Sequence, residues 1–191
     1  MTDILTTVAI EDLTGDYQID PAHTQLAFVA RYAMVTKVRG QFNDFEGTVH
    51  IDAQDPSKSS AEVRINAASI STGNGDRDAH LRNADFFDVE TYPEILFKST
   101  RVDELGDDRY RVTGDLVIKG VAKPVSVDIE YTGSAKDPFG NLRAGFDGKT
   151  EVNRKDWGVT WNAALETGGF LVGDKIRLEL DISAVRLTPT A

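Results

Sequence analysis

From Tyr17 onward the chain alternates apolar and polar residues with a period of two. In 110–119, for example, Val112, Leu116 and Ile118 alternate with polar positions such as Arg111. Successive side chains of a strand point to opposite faces, so this pattern is typical of antiparallel strands with one dry and one wet face. The alternating segments are, in chain order, 24–34, 41–52, 61–67, 95–102, 110–119, 125–131, 142–152 and 176–183.

The length and order of these segments favour a barrel. A strand of about ten residues spans roughly 30 Å, which is long for a small sandwich. Long antiparallel strands in sequence order are typical of an up-and-down barrel, which leaves no exposed sheet edge. We therefore predict an all-β, eight-stranded antiparallel barrel, while the pattern alone leaves a two-sheet sandwich open. A barrel of this size either fills with side chains or holds one ligand.

The alternation stops at residues 74–92, where charged side chains lead into two phenylalanines. Asn74 or Asp76 is a suitable N-cap for a short helix, a second short turn follows, and Pro93 ends the segment. We predict a helical insertion of about residues 76–91 at one rim of the barrel. The stretch 157–173 is rich in glycine, asparagine and aromatic residues and predicts a long loop at the same or the opposite rim.

Length and composition indicate one globular domain. The chain has 191 residues, and we interpret 1–15 as a loosely held leader and 16–188 as a single domain. The leader lacks a basic region, and no window approaches 18 apolar residues, so we expect no signal peptide, no transmembrane segment and a cytoplasmic location. A net charge of −10 disfavours nucleic acid as a partner. The absence of cysteine excludes disulfides and thiol catalysis.

Motifs for catalysis or metal binding are weak. The three histidines, His23, His50 and His80, form no HxH or HExxH pattern, so we expect no metal site. The acidic residues near the helix start complement its dipole, and the neighbouring Arg77 and Arg82 would keep them ionised. Neither a GxSxG motif nor a nucleotide-binding glycine motif is present. We therefore predict a protein that is not an enzyme and needs no cofactor.

The apolar faces carry large aromatic side chains beside small ones. Ala30, Gly114, Ala144 and Gly148 leave volume that either large neighbours or an elongated apolar ligand would fill. The residues alone leave a packed core and a ligand cavity equally open.

Four stretches of the chain resemble the YceI-like family of polyisoprenoid-binding proteins. They read RDAHLRNADFFDVETYPEILFKS, FVARYAMVTKVRGQFNDFEGTV, GDLVIKGVAKPV and NRKDWGVTWNAALETGGFLVGDKIRLEL. The resemblance runs from about Tyr17 to Leu187 in the order of the family. It implies an extended, lipocalin-like eight-stranded barrel around a hydrophobic channel, a polyprenyl phosphate or quinone type of ligand, and a homodimer. Two features differ from many relatives: the missing signal peptide, and Tyr32 where the first long strand often ends in a histidine.

The resemblance also implies a candidate binding site. The charged side chains of the insertion would form a polar clasp at the cavity mouth. Asp78 and Asp85 would serve either the ligand head group or the cap itself, His80 and Arg82 would contact the head group, and Arg154 with Asp156 would form a similar clasp. The predicted ligand-binding residues are Phe28, Tyr32, Met34, Phe42, Phe45, Val63, Ile65, Arg77, Asp78, His80, Leu81, Arg82, Phe86, Phe97, Leu116, Phe146 and Trp161.

The function predicted on this basis is the carriage or storage of a long-chain isoprenoid or fatty lipid in the barrel interior, without catalysis. An alternative is an enzyme that acts on a lipid-like substrate in the same cavity, with His80 and Asp78 as its polar groups. A third possibility is a barrel packed shut that works through its acidic outer surface.

Overall fold

Residues 9–188 are described by the structure, a computed structural model. They form one antiparallel sheet and one short helix, α1 (Gly75–Arg82). The strands are β1 (Gly15–Ile19), β2 (Gln25–Tyr32), β3 (Thr36–Phe42), β4 (Phe45–Ile51), β5 (Ser60–Asn66), β6 (Ile70–Ser71), β7 (Glu94–Gly106), β8 (Arg109–Ile118), β9 (Val121–Lys136), β10 (Leu142–Asn153) and β11 (Val172–Arg186).

The eleven strands form eight long barrel strands, because three of these eight are interrupted by a turn or a short break. We call each of the eight long strands, with its interruption, a stave. A 3-10 turn at Pro21–His23 separates β1 from β2, and both pair with β11. Residues 43–44 interrupt the second stave between β3 and β4, and a 3-10 turn at Ala67–Ser69 interrupts the third between β5 and β6. The break at residues 43–44 therefore lies inside the alternating segment 41–52.

The pairing of β1 with β11 closes the sheet, in the register Ile19↔Ala184 and Tyr17↔Arg186. Every stave is then hydrogen-bonded on both sides, in the up-and-down order that the alternation predicted. The eight-stranded antiparallel barrel is confirmed, and the sandwich is excluded.

The connections of such a barrel alternate between its two ends. We call one of them the cap end: it carries the connections between β2 and β3, β6 and β7, β8 and β9, and β10 and β11. The opposite end carries the connections between β4 and β5, β7 and β8, and β9 and β10. The segment of residues 154–171 thus lies at the same rim as α1.

The insertion forms the predicted short helix followed by turns. Asn74 is the N-cap of α1, and its side-chain oxygen accepts a hydrogen bond of 3.0 Å from the Arg77 N–H. The helix ends at Arg82, and hydrogen-bonded turns continue to Thr91. The chain re-enters the barrel at Glu94, directly after Pro93.

Part of the predicted leader packs against the opposite end. Residues 1–8 lie outside the described part of the chain. Residues Ile10–Leu13 form a 3-10 turn, and the Leu13 side chain is only 2% exposed. The Tyr17 hydroxyl donates a hydrogen bond of 2.7 Å to the Leu13 carbonyl, and Arg186 donates to the carbonyls of Asp12 and Thr14.

Arg143 on β10 ties three elements together near the opposite end. Its guanidinium contacts Asp20 at 2.7 Å, Asp137 at 2.9 Å and the Ser183 hydroxyl at 3.3 Å. The hydrogen bonds from Arg143 and His23 lower the pKa of Asp20 to about 2. Hydrogen bonds from Asn141 and Arg143 lower the pKa of Asp137 to about 2.

We expect Arg143→Leu to lower the free energy of unfolding at neutral pH. Loss of the hydrogen-bonded ion pair with Asp20 costs ~1–2 kcal/mol. A carboxyl with a depressed pKa stabilises the fold above its unfolded pKa, and this contribution disappears as pH falls through the folded pKa. The difference between wild type and variant should therefore shrink as the pH falls from about 4 to about 2. Urea unfolding over a pH series measures this difference.

The control variant is Arg101→Leu, whose side chain is 72% exposed and pairs with Asp103. We expect it to change stability by less than about 0.5 kcal/mol at any pH in the series. A loss for Arg143→Leu that stays constant down to pH 2 would contradict the assigned role of the ion pairs.

Candidate functional site

The barrel encloses a cavity of about 360 Å³. Its lining is almost wholly apolar and comes from the inward faces of the long staves. The lining extends from Leu81 and Phe86 in the cap to Leu13 and Pro56 at the opposite end. Interiors of folded proteins rarely contain voids larger than a water molecule, so a cavity of this size is a feature of the fold and not a packing defect. A barrel packed shut is excluded.

A compact network of hydrogen bonds holds the cap in place. The buried Asp78 carboxylate accepts hydrogen bonds from the Thr72 backbone N–H at 2.9 Å and the Thr72 hydroxyl at 2.6 Å. Arg77 donates to the Thr72 hydroxyl at 2.7 Å and to its carbonyl at 2.9 Å. Arg82 donates to the Ala68 carbonyl at 3.0 Å. These bonds fasten α1 to the end of the third stave and let Leu81 face the cavity.

His80 joins the cap to the segment that follows β10. One ring nitrogen of His80 shares a hydrogen bond of 2.8 Å with Asp85. The imidazole stands edge-on to Phe86, with ring centroids 5.0 Å apart, and to Trp161 at 4.7 Å. Edge-to-face geometry of this kind stabilises aromatic pairs, so His80 contributes to the contact between the two segments at this rim, together with Phe86, whose ring centroid lies 5.4 Å from that of Trp161.

Arg154 organises the long segment at the same rim. Its guanidinium is buried and donates to the carbonyls of Val159 at 2.7 Å, Trp161 at 2.9 Å and Gly173 at 2.9 Å. Burial lowers the pKa of Arg154, and the nearby Asp174 carboxylate opposes this shift. Arg154 also lines the cavity. Trp157, beside it in the chain, donates to the Leu116 carbonyl at 2.8 Å and packs under the cap.

The structure brings nine of the seventeen predicted ligand-binding residues to the cavity wall. They are Phe28, Phe42, Val63, Ile65, Leu81, Phe86, Phe97, Leu116 and Phe146. Phe45 is buried in the barrel wall beside Ile19 and Leu26 and is not among the lining residues.

The other predicted residues lie around the rim. Tyr32 and Met34 are 46% and 65% exposed and point to solvent. The remaining five, which hold the cap or the segment after β10, are Arg77, Asp78, His80, Arg82 and Trp161.

The inward glycines do not supply the free volume that their size suggests. A Cβ atom at Gly114 would lie 2.6 Å from the Phe97 ring, and one at Gly40 would lie 2.2 Å from the Phe28 ring. At Gly148, Ile129 occupies the space. The large neighbours therefore cover these glycines, and the cavity lies inside the layer of aromatic and aliphatic side chains.

Sequence reasoning missed the lining at the opposite end. Ile10, Leu13 and Pro56 contribute there, together with the inward tyrosines Tyr110 and Tyr131. Ile10 and Leu13 lie three residues apart in a segment without sustained periodicity, which gave little reason to place them in the cavity.

Two negative findings apply to residues 9–188. No group of three or more histidine, aspartate or glutamate side chains in this range is placed to hold a metal ion. Within the same range, no helix is long and apolar enough to cross a membrane.

We expect Arg154→Leu to lower the free energy of unfolding by roughly 3 kcal/mol, because several carbonyls would lose their charged donor inside the protein. Urea unfolding measures the loss. Lys155→Leu is the matched control, since the adjacent Lys155 side chain is 49% exposed and pairs with Asp174 at the surface. Equal stability of the two variants would show that Arg154 does not organise this segment.

Comparison with known proteins agrees with this architecture. Residues 17–184 match the profile of the YceI-like domain. A UPF0312 protein from Pectobacterium atrosepticum is 39% identical over 150 residues, which cover 78% of each chain. The crystal structure of BcnA from Burkholderia cenocepacia superposes with a TM-score of 0.77 at 26% identity, over 86% of this chain and 98% of that one.

A more distant structure shares the fold alone. The polyisoprenoid binding domain from Saccharophagus degradans has a TM-score of 0.66 at 15% identity, over 90% of this chain and 98% of that domain. The resemblance seen in the cap and loop motifs is thus confirmed over most of the sequence. This chain belongs to the YceI-like family.

Proposed function

We propose that the barrel carries or stores an elongated apolar ligand, a long-chain isoprenoid or fatty lipid, without covalent chemistry. The observation that carries this proposal is the apolar cavity of about 360 Å³ that extends from the cap to the opposite end. Its volume lies within the range of small-molecule sites, about 300–1,000 Å³. An empty apolar void costs stability, whereas a hydrocarbon inside it restores the missing contacts.

The energy of such binding comes from the tail. Each CH₂ group moved from water into an apolar site contributes about 0.8 kcal/mol. A tail along Phe28, Phe42, Phe97 and Leu116 would therefore bind tightly without a specific polar contact. The name of the Saccharophagus degradans domain supports the isoprenoid class, because that domain shares this barrel.

The cap contacts support binding more than turnover. Asp78 is engaged by Thr72, and His80 by Asp85, and neither Asp78 nor His80 lines the cavity. We infer that Arg77, Asp78 and Asp85 mainly hold the cap closed over the ligand. The head-group contact of Arg82 and His80, the homodimer and the cytoplasmic location stay predictions.

Organic extraction of the purified protein followed by mass spectrometry should yield a long-chain lipid. Titration of the lipid-free protein with polyprenol, polyprenyl phosphate and a fatty acid should then show saturable, one-to-one binding of each compound. An empty extract together with no saturable binding of any of the three compounds would overturn the proposal.

We expect Ala30→Phe to weaken the binding of the same lipids. Ala30 lines the cavity in its cap half, so a ring there displaces about two buried CH₂ groups and lowers affinity roughly tenfold. Ala122→Phe is the control, because Ala122 is exposed near the start of β9. Circular dichroism should show both variants folded, and unchanged affinity in Ala30→Phe would place the ligand outside the cavity.

Arg82→Ala tests the head-group contact. If Arg82 donates to a phosphate, the variant should lose roughly tenfold in affinity for polyprenyl phosphate and little for the neutral polyprenol. Arg101→Ala, on an exposed side chain, is the control. An equal loss for both ligands would mean that Arg82 only supports the cap.

A further inference from the structure

Four large apolar side chains stand exposed together at the cap end. They lie at the end of β2, in the β2–β3 connection and in the segment before β11, and we call them the apolar tip. They are Tyr32, Met34, Val35 and Phe170, which are 46%, 65%, 74% and 60% exposed. Single exposed apolar residues are ordinary, but a cluster of this kind marks an interaction site.

The two segments of the apolar tip are joined. The Ala33 N–H donates to the Leu171 carbonyl at 2.7 Å, and Tyr32 pairs in register with Val172. Met34 packs over Gly169, where a Cβ atom would collide with the Met34 sulfur. Intramolecular contacts therefore hold the apolar tip in place while its outer surface remains open to solvent.

The hairpin turn within the apolar tip is built at a cost to stability. The Val35 N–H bonds to the Tyr32 carbonyl at 3.1 Å, and the two central residues have positive φ, 49° at Ala33 and 63° at Met34. Turns of this kind strongly favour asparagine and glycine at these positions. Met34 is mostly exposed, so packing in the barrel does not explain a bulky apolar residue there.

A second unfavourable arrangement lies directly behind the turn. Arg31 and Lys37 are opposite each other in the β2–β3 register, and like charges in such a pair destabilise a sheet. Arg31 also donates to the Val35 carbonyl at 3.3 Å. Segments 30–38 and 163–171 together contain these two cations and one acid, Glu166, whereas the whole chain has a net charge of −10.

The apolar tip is continuous with the cavity wall. Val172, which pairs with Tyr32 in the β2–β11 register, lines the cavity. Ala30, two residues before Tyr32 on β2, also lines the cavity. A surface that covers the tip would therefore lie beside the cap, at the end of the barrel where α1 closes the cavity.

We propose that the apolar tip docks this protein onto an anionic lipid bilayer. Met34, Val35 and Phe170 enter the boundary between head groups and acyl chains, and Arg31 and Lys37 lie against the lipid phosphates. This is the arrangement that binds peripheral proteins to membranes, in which buried apolar area adds to the attraction of cations for anionic lipids. The inference goes beyond ligand binding in the interior, because it identifies the surface from which an apolar ligand would be exchanged.

Co-sedimentation of the full chain with vesicles tests the proposal. We expect binding to vesicles of phosphatidylcholine and phosphatidylglycerol, weaker binding to phosphatidylcholine alone, and weakening by salt. Met34→Gly removes an inserted side chain, and Lys37→Glu reverses a charge, so each should lower partitioning roughly tenfold or more.

Both substitutions should also make the fold more stable, which separates docking from unfolding. Glycine relieves the positive φ at position 34, and the charge reversal gives Arg31 an opposite partner. Urea unfolding should show that neither variant is less stable than wild type.

The controls lie at the opposite end of the barrel. Phe139→Ser removes a phenylalanine that is 87% exposed, and Lys58→Glu reverses a cation whose side chain is 70% exposed. Neither should change vesicle binding. The proposal is overturned by absent binding to the anionic vesicles, or by controls that weaken binding as much as the tip variants. It is also overturned if the tip variants alter only the elution volume in gel filtration, which would make the tip a protein–protein interface.

Discussion

The pairing of β11 with both parts of the first stave is the constraint on which the structure depends. β2 pairs with the first half of β11, and β1 pairs with the end of β11. The single strand β11 therefore closes the barrel, although the turn at Pro21–His23 separates β1 from β2. Closure removes the sheet edges and obliges every inward side chain to face one common interior. Without it the apolar faces would need a second sheet to cover them, and no channel would exist.

Polar side chains hold the connecting segments in place at the two ends of the barrel. At the opposite end, Arg143 joins Asp20 to the β9–β10 turn, and at the cap end Arg154 binds the carbonyls of the segment after β10. Asp78 does the same for α1 through Thr72. The buried charges of Arg154 and Asp78 are tolerated because they are hydrogen-bonded. The consequence is that the interior between the two ends stays apolar.

The interior and the rim of the barrel have different surface properties. The wall of aromatic and aliphatic side chains offers volume and little polarity, which suits a hydrocarbon and not a reacting group. The rim offers an ordered cap on one side and the apolar tip, with Arg31 and Lys37 behind it, on the other. A ligand without polar contacts inside would need a way in from an apolar phase, and the tip is the surface suited to that phase.

The sequence determined the barrel and much of its wall through the alternation of side chains, because period-two patterning depends only on which residues neighbour one another along a strand. The position of the insertion and the family motifs determined the cap end. The sequence could not determine which inward volume is free: Gly114 and Gly148 suggest free space, yet Phe97 and Ile129 cover them from neighbouring strands. Nor could it decide that Leu13 is buried at the opposite end, that Asp78 faces Thr72 and not the cavity, or that Met34 and Phe170 are both exposed at the cap end. Those outcomes depend on contacts between residues far apart in the chain, and only the closed barrel brings such residues together.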